Sequence, residues 1–278
     1  MSDSARLQTR TDPGKSPYAN GKIKDGPQGE YLTDRLADET IAFMSQHKSG
    51  PFFAYLSFYT VHAPFMPKPQ TKDRAETKSA RMIVCMDDAV GRVLESLDKL
   101  GLAENTLVVF TSDNGGLRVV PPLRGRKGSL YEGGVRVPLI YRWQGKLKSG
   151  IRSDMPVAAA DFSPTLLEAT GAKLPSKTKK LDGRSYWGEV SGTGGVEPRP
   201  AFQHFPHHRA GRVFSGASSV RAGDWKLLRK YAGNQIELYH LGDDLGEKVN
   251  LAAKEPEKAA ELKALLDDWL RSTDAHMP

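Results

Sequence analysis

The chain has one cysteine, Cys85, among its 278 residues, so an intrachain disulfide is excluded and cysteine usage says nothing about redox compartment. No apolar run approaches the ~18 residues that a membrane-spanning helix needs. The opening stretch, MSDSARLQTRTDPGKSPYANGKIKDG, is polar and lacks the apolar core of a secretory signal, which predicts no export signal in the chain as written. Blocks of one charge sign are also scarce. The formal charge of +7 comes from scattered lysines and arginines, with local knots only at Arg124–Lys127 and Lys177–Lys180. Without an aromatic-interleaved basic stripe or a nucleic-acid motif, nucleic acid is excluded as a partner, and a small anion is sufficient to explain the excess. No internal repeat is present.

What is there centres on Thr106–Pro138, TLVVFTSDNGGLRVVPPLRGRKGSLYEGGVRVP. Thr106 to Thr111 is apolar and β-branched, the pattern of a strand buried on both faces. It stops at Ser112-Asp113-Asn114-Gly115-Gly116, where two glycines permit a sharp turn. Ligands of open α/β sheets gather beyond the carboxyl ends of strands. Asp113 and Asn114 offer only oxygen donors, which suit a hard cation such as Ca²⁺ or Mg²⁺. Taken alone, the same four residues describe an Asx turn closing a strand.

Other elements follow from periodicity. A helix is predicted from about Tyr31 to His47, capped by Thr33 or Asp34, and a central strand over Phe52–Tyr59 that ends at His62. Apolar residues recurring from Met82 to Leu100 predict a helix over Ser79–Leu100, ended by Gly101. Cys85 falls near its apolar face and reads as a packed thiol, and Asp87 and Asp88 as solvated or helix-supporting carboxylates. Val137–Trp143 reads as a strand and Val157–Gly171 as a helix capped by Asp161 or Ser163. The Lys-, Gly-, Ser- and Pro-rich stretch Ala172–Pro200 is the expected boundary, giving domains 1–175 and 176–278. Beyond it, strands are expected at Ala201–Phe205, Ser218–Arg221, Trp225–Arg229 and Ile236–Leu241, then a helix over Glu255–Leu270. That is a small antiparallel sheet covered by one helix. His204, His207 and His208 have no Cys or carboxylate at ligand spacing, which argues against zinc.

Ser-Asp-Asn-Gly after a strand, then Arg124-Gly-Arg-Lys-Gly, then Tyr131-Glu-Gly-Gly-Val-Arg-Val-Pro, resembles the sulfatase family of the alkaline-phosphatase superfamily. PFFAYLSFYTVHAPF resembles that family's strand ending in Pro-His-x-Pro, with Val61 in place of proline. ELYHLGDDLGEKVNLA resembles its C-terminal subdomain. The resemblance implies an α/β fold: an incomplete alkaline-phosphatase-like mixed sheet flanked by helices, plus the C-terminal antiparallel sheet with one helix.

It further implies sulfate-ester hydrolysis, with calcium (magnesium less so) held by Asp113 and Asn114. Lys127 and His62 would be catalytic residues at the sulfate, and Arg124, His204 and His207 would contact substrate, a sulfated carbohydrate or an aryl sulfate. A full-length relative would be periplasmic or secreted. The family's formylglycine nucleophile arises from Cys-x-Pro/Ser-x-Arg, which Cys85 does not match, so no nucleophile is assigned. The chain therefore reads as the later part of a sulfatase that depends on a missing N-terminal segment. Two other readings stay open: a non-catalytic remnant binding anionic glycans, and a metal-dependent phosphoesterase of the same superfamily.

Overall fold

The computed structural model describes residues 30–174, 181–207 and 216–278. The expected N-terminal loop, the Lys177–Lys180 knot and His208 lie outside them. The chain divides into two compact units, Met1–Leu107 and Val108–Pro278. The break falls within the central stretch, after its first two residues.

The first unit is built on a helix pair, α1 (Leu32–Gln46) and α2 (Lys78–Lys99). Helix α2 starts where the Thr77 hydroxyl accepts from the Ala80 N–H at 3.1 Å, and it stops at Gly101, whose φ of +68° suits a residue without a Cβ. Its inner face buries Met82, Cys85, Ala89 and Leu97, and Ala37 and Met44 of α1 are also buried. Cys85 is a packed thiol, as its place on the apolar face predicts. Asp88 supports the surface of the helix, accepting from Arg74 at 2.5 and 2.9 Å.

Two expectations need correction here. Neither Thr33 nor Asp34 caps α1, which begins after Tyr31 without a side-chain cap. The Thr33 hydroxyl lies 2.7 Å from that of Thr60, and Asp34 receives Lys68, so both side chains serve tertiary contacts instead. Phe52–Tyr59 forms no strand among the described residues. Its apolar residues satisfy the pattern of a central strand, but a strand exists only through hydrogen bonds to neighbours. Here the Phe52 ring packs edge-on against Phe43 at 6.1 Å, while Phe53, Tyr55 and Tyr59 are exposed.

The second unit opens with an antiparallel ladder, β1 (Val108–Thr111) against β2 (Leu139–Arg142), in the register Val108↔Arg142 to Thr111↔Leu139. The expected strand is thus present but shorter, half-buried rather than buried on both faces, and its neighbour is antiparallel. Between the two strands comes the short helix α3 (Glu132–Val135). Helix α4 (Phe162–Thr170) follows a turn of 3-10 helix and ends at Gly171, φ +69°. The buried Asp161 accepts from the Ala158 and Arg184 N–H groups, both at 2.9 Å, and pairs with Arg199, so its role is structural. Helix α5 (Trp187–Ser191) leads to the last subdomain.

That subdomain is the expected one. Strands β3 (Ala201–Phe205), β4 (Ala217–Ala222), β5 (Trp225–Lys230) and β6 (Gln235–His240) make an antiparallel sheet in sequence order, followed by α6 (Pro256–Ser272). The alternation of β4–β6 sorts residues to two faces. Val220, Leu227 and Leu238 face α6 and form a core with Leu262, Leu266 and Leu270, while Trp269 stacks on Phe202 at 4.8 Å. Leu228, Tyr239 and Leu241 form a second cluster with Tyr131, from the segment that precedes α3. The sheet is therefore covered on both faces, by a helix on one and by the glycine-rich segment on the other.

Leu266 is fully buried at the centre of the first cluster. Leu266→Ala is expected to cost about 2–5 kcal/mol in urea unfolding followed by circular dichroism. A change below about 1 kcal/mol would show that α6 does not anchor the sheet.

Candidate functional site

The site lies where the turn after β1 meets the segment from Arg124 to Gly134. Two backbone hydrogen bonds join them, Gly115 N–H to Gly134 O at 3.0 Å and Lys127 N–H to Gly116 O at 2.9 Å, and a third, Gly133 N–H to Arg124 O at 2.7 Å, closes the segment on itself. The glycines are there because the backbones touch. A Cβ on Gly115 would fall 2.0 Å from Gly133 O, one on Gly133 would fall 2.5 Å from Gly125 O, and one on Gly134 would fall 2.1 Å from Ser129 O. Asp113 and Asn114 thus sit at one end of a layered backbone, and Lys127 is bonded to the same turn.

The side chains on this scaffold are differently engaged. Asp113 is exposed, and its carboxylate has no hydrogen bond or ion pair among the described residues; Asn114 beside it is half-buried. Lys127 is exposed, and its ammonium is likewise unpaired among those residues. Arg124 differs. Its Nη1 donates to Tyr239 Oη at 2.9 Å and to Glu247 O at 2.7 Å, and its guanidinium lies 4.0 Å from the centre of the Tyr131 ring. Those contacts support a structural role for Arg124 over substrate binding.

The histidines separate in the same way. His204 has both nitrogens occupied within the fold, Nδ1 at 2.6 Å from Ser218 Oγ and Nε2 at 2.9 Å from His276 O. Those bonds favour latching the C-terminal tail over touching substrate. His207 is exposed, its ring edge-on to Phe205 at 5.2 Å. His62 belongs to the first unit, exposed, with Nδ1 at 2.8 Å from Ala63 O and its ring 5.5 Å from that of Tyr59.

A buried ion network holds the layered segment to the sheet. Lys226, 1% exposed, places Nζ 2.8 Å from Glu132 Oε1 and 3.0 Å from Glu247 Oε1. Glu247 Oε2 accepts from the Glu132 N–H at 2.7 Å. Arg136 and Arg221 approach Glu132 Oε2 at 3.3 and 3.9 Å. Burial would raise the Glu132 pKa, but Lys226, Arg221 and Arg136 outweigh it and hold that carboxyl below its ordinary value. Glu247 is raised, because burial there outweighs Lys226 and the Glu132 N–H. Glu247 also has φ +51°, a conformation that costs a non-glycine residue about 1–2 kcal/mol and that its bonds to Arg124, Lys226 and Glu132 maintain.

Sequence patterns overlooked Lys226 and Glu247. The available signal was β5 itself: Trp-Lys-Leu-Leu-Arg-Lys has leucines on both faces, so the lysine alternating with Leu228 had to be buried.

The family model for sulfatases matches residues 3–172, and the model for the C-terminal part of N-sulphoglucosamine sulphohydrolase matches residues 126–275. The chain belongs to the sulfatase family. A sulfatase of Formosa agariphila is 34% identical over 98% of the chain and 56% of its own length. The uncharacterized sulfatase YdeN of Escherichia coli K12 is 30% identical over 89% of the chain and 52% of its own length. Among solved structures, Ps i-CgsB in complex with k-i-k-neocarrahexaose is similar with a TM-score of 0.77 and 30% identity, over 90% of the chain and 56% of that protein. The chain spans about half the length of these relatives.

Sulfatases are generally metal-dependent, and the donors of this chain can be tested against that. Asp113 and Asn114 are adjacent oxygen donors at a strand end, and the Asp113 carboxylate is unengaged, which fits a hard cation. Calcium takes ~6–8 oxygens, so these two could supply only part of a shell. Among the described residues no three His, Cys, Asp or Glu side chains gather to complete one.

The glycine layering gives a paired test. Gly115→Ala should lower stability by about 1–3 kcal/mol, because the new methyl overlaps Gly133 O. Gly91→Ala, in α2 with open space at its Cβ, should be neutral or stabilising by up to about 1 kcal/mol. Equal thermal shifts for the two variants would rule out close packing as the reason for Gly115.

Proposed function

We propose that this sulfatase-family chain carries part of a site for hydrolysing sulfate esters, with a sulfated carbohydrate as the preferred substrate class. Asp113 and Asn114 supply oxygen ligands to a divalent cation, calcium in first place. Lys127 presents a fixed positive charge to the sulfonyl oxygens, where negative charge must be stabilised as the ester breaks. In this reading His62, a residue of the first unit, keeps the role of proton donor or sulfate ligand that the resemblance to sulfatases implies. His207, exposed, remains a candidate substrate contact, whereas Arg124 and His204 hold the fold.

The observation that carries this reading is the pairing of engaged backbone with unengaged side chains. The Asp113 turn and Lys127 are locked together by main-chain hydrogen bonds, yet both charged groups are exposed and unpaired among the described residues. A structural carboxylate or ammonium would be expected to contact its surroundings, as Asp161 and Lys226 do. The bound cation would act as a Lewis acid on the sulfate. The oligosaccharide-bound relative supports a carbohydrate over a small aryl ester.

The test is sulfate release from a sulfated oligosaccharide and from an aryl sulfate, by the chain alone and fused to the nucleophile-bearing segment of a full-length relative. Turnover by the fusion is expected, and Lys127→Ala should lower it ~10²–10³-fold. A loss of tenfold or less would demote Lys127 to a structural role. Asp113→Ala should reduce the metal content retained after dialysis, and unchanged retention would remove Asp113 from the ligand set. Faster turnover of phosphate esters, or glycan binding without turnover, would favour the two competing readings instead.

A further inference from the structure

Lys226 stands on β5, in the C-terminal subdomain, and what it holds is the segment that carries the site. Its ammonium meets Glu132 at 2.8 Å, at the first residue of α3. The next two residues are Gly133 and Gly134. Gly134 O accepts from the Gly115 N–H, and Gly133 O occupies the space a Cβ on Gly115 would need. From the ammonium to the Asp113 turn there is one side chain, Glu132, and otherwise backbone in direct contact.

We propose that Lys226 is a positioning residue for the site, acting through Glu132: it touches neither cation nor ester but fixes where the Asp113 turn and Lys127 stand. What those residues bind rests on the function proposed above; the positioning does not. Helix α3 has only four residues and no side-chain cap, so it has little structure of its own to keep it in place. Its register is set from outside, by the Glu132 carboxylate on Lys226 and the Glu132 N–H on Glu247. Without the ammonium, two buried carboxylates face each other, with Arg136 and Arg221 near only Oε2 of Glu132. Relief comes most readily from moving α3, and the glycine layer moves with it.

Native-state hydrogen exchange on the whole chain tests this, with Lys226→Met, Lys226→Arg and Glu132→Gln beside the wild type. In Lys226→Met the amides of Gly115, Lys127 and Gly133 should exchange at least tenfold faster, while amides of the β4–β5 ladder keep wild-type protection. Lys226→Arg should restore part of the difference. Uniform acceleration of both sets, or unchanged loop amides in the folded variant, would overturn the proposal. Should Lys226→Met not fold, Glu132→Gln, which keeps an acceptor for Lys226 but loses the charge, must show the same selective acceleration, and its absence decides against us.

Calcium titration by calorimetry separates the two readings. If wild type binds, Lys226→Met should bind at least tenfold more weakly with Asp113 intact, and equal affinity would refute positioning. If wild type does not bind, as two ligands alone allow, the exchange result decides the role of Lys226.

Discussion

Close approach of backbone to backbone is the constraint on which the second unit depends. The turn at Gly115, the run at Arg124–Gly125 and the start of α3 at Gly133–Gly134 lie in layers with no side chain between them. Each layer excludes a Cβ from the next, so Gly115, Gly133 and Gly134 are required by space and not by flexibility. Such packing is rigid because it leaves nothing to rotate, and it supplies hydrogen-bond partners for main-chain groups that would otherwise be buried unpaired. A site built on it gains geometry that loops of ordinary composition lack, at the cost of stability wherever one glycine is lost.

Backbone layers need an anchor, and the sheet provides it through charge. A buried ion cluster is weak ground for stability, since removing charged groups from water offsets most of their attraction. Its contribution here is direction. Leu228, Tyr239 and Tyr131 would pack in many registers, whereas Lys226 accepts one arrangement of Glu132 and Glu247. The strained φ of Glu247 has the same explanation: two hydrogen bonds and an ion pair fix a conformation that no single one would maintain. Burying an unlike-charged trio at the interface between sheet and loop converts a greasy contact into a registered one.

This explains which parts of the molecule were legible in the sequence. The four strands and the helix of the C-terminal subdomain were located within a residue or two, because each has a period set by its own local burial. Helix α2 was legible for the same reason, with Gly101 as its stop. Phe52–Tyr59 was not, since its pattern states what a strand would bury and not whether a neighbour pairs with it. The caps of α1 failed similarly: Thr33 and Asp34 are competent caps, but Thr60 and Lys68 competed for them across 27 and 34 residues of chain. Long-range partners leave no mark on local spacing.

The candidate site shows the same limit from the other side. Motif order brought Asp113, Asn114, Lys127 and Arg124 forward together, as residues of one signature. The structure sorts them by a quantity the letters do not contain, the number of internal partners each polar group already has. Arg124 Nη1 is engaged by Tyr239 and Glu247 and its guanidinium by the Tyr131 ring, and both nitrogens of His204 by Ser218 and His276, so internal partners account for where they stand. Asp113 and Lys127 are held in place by their backbones while their charges meet no partner among the described residues. Fixed position without an internal partner is what a ligand-binding group requires. By that criterion Asp113 and Lys127 are the side chains the fold leaves available to the proposed site.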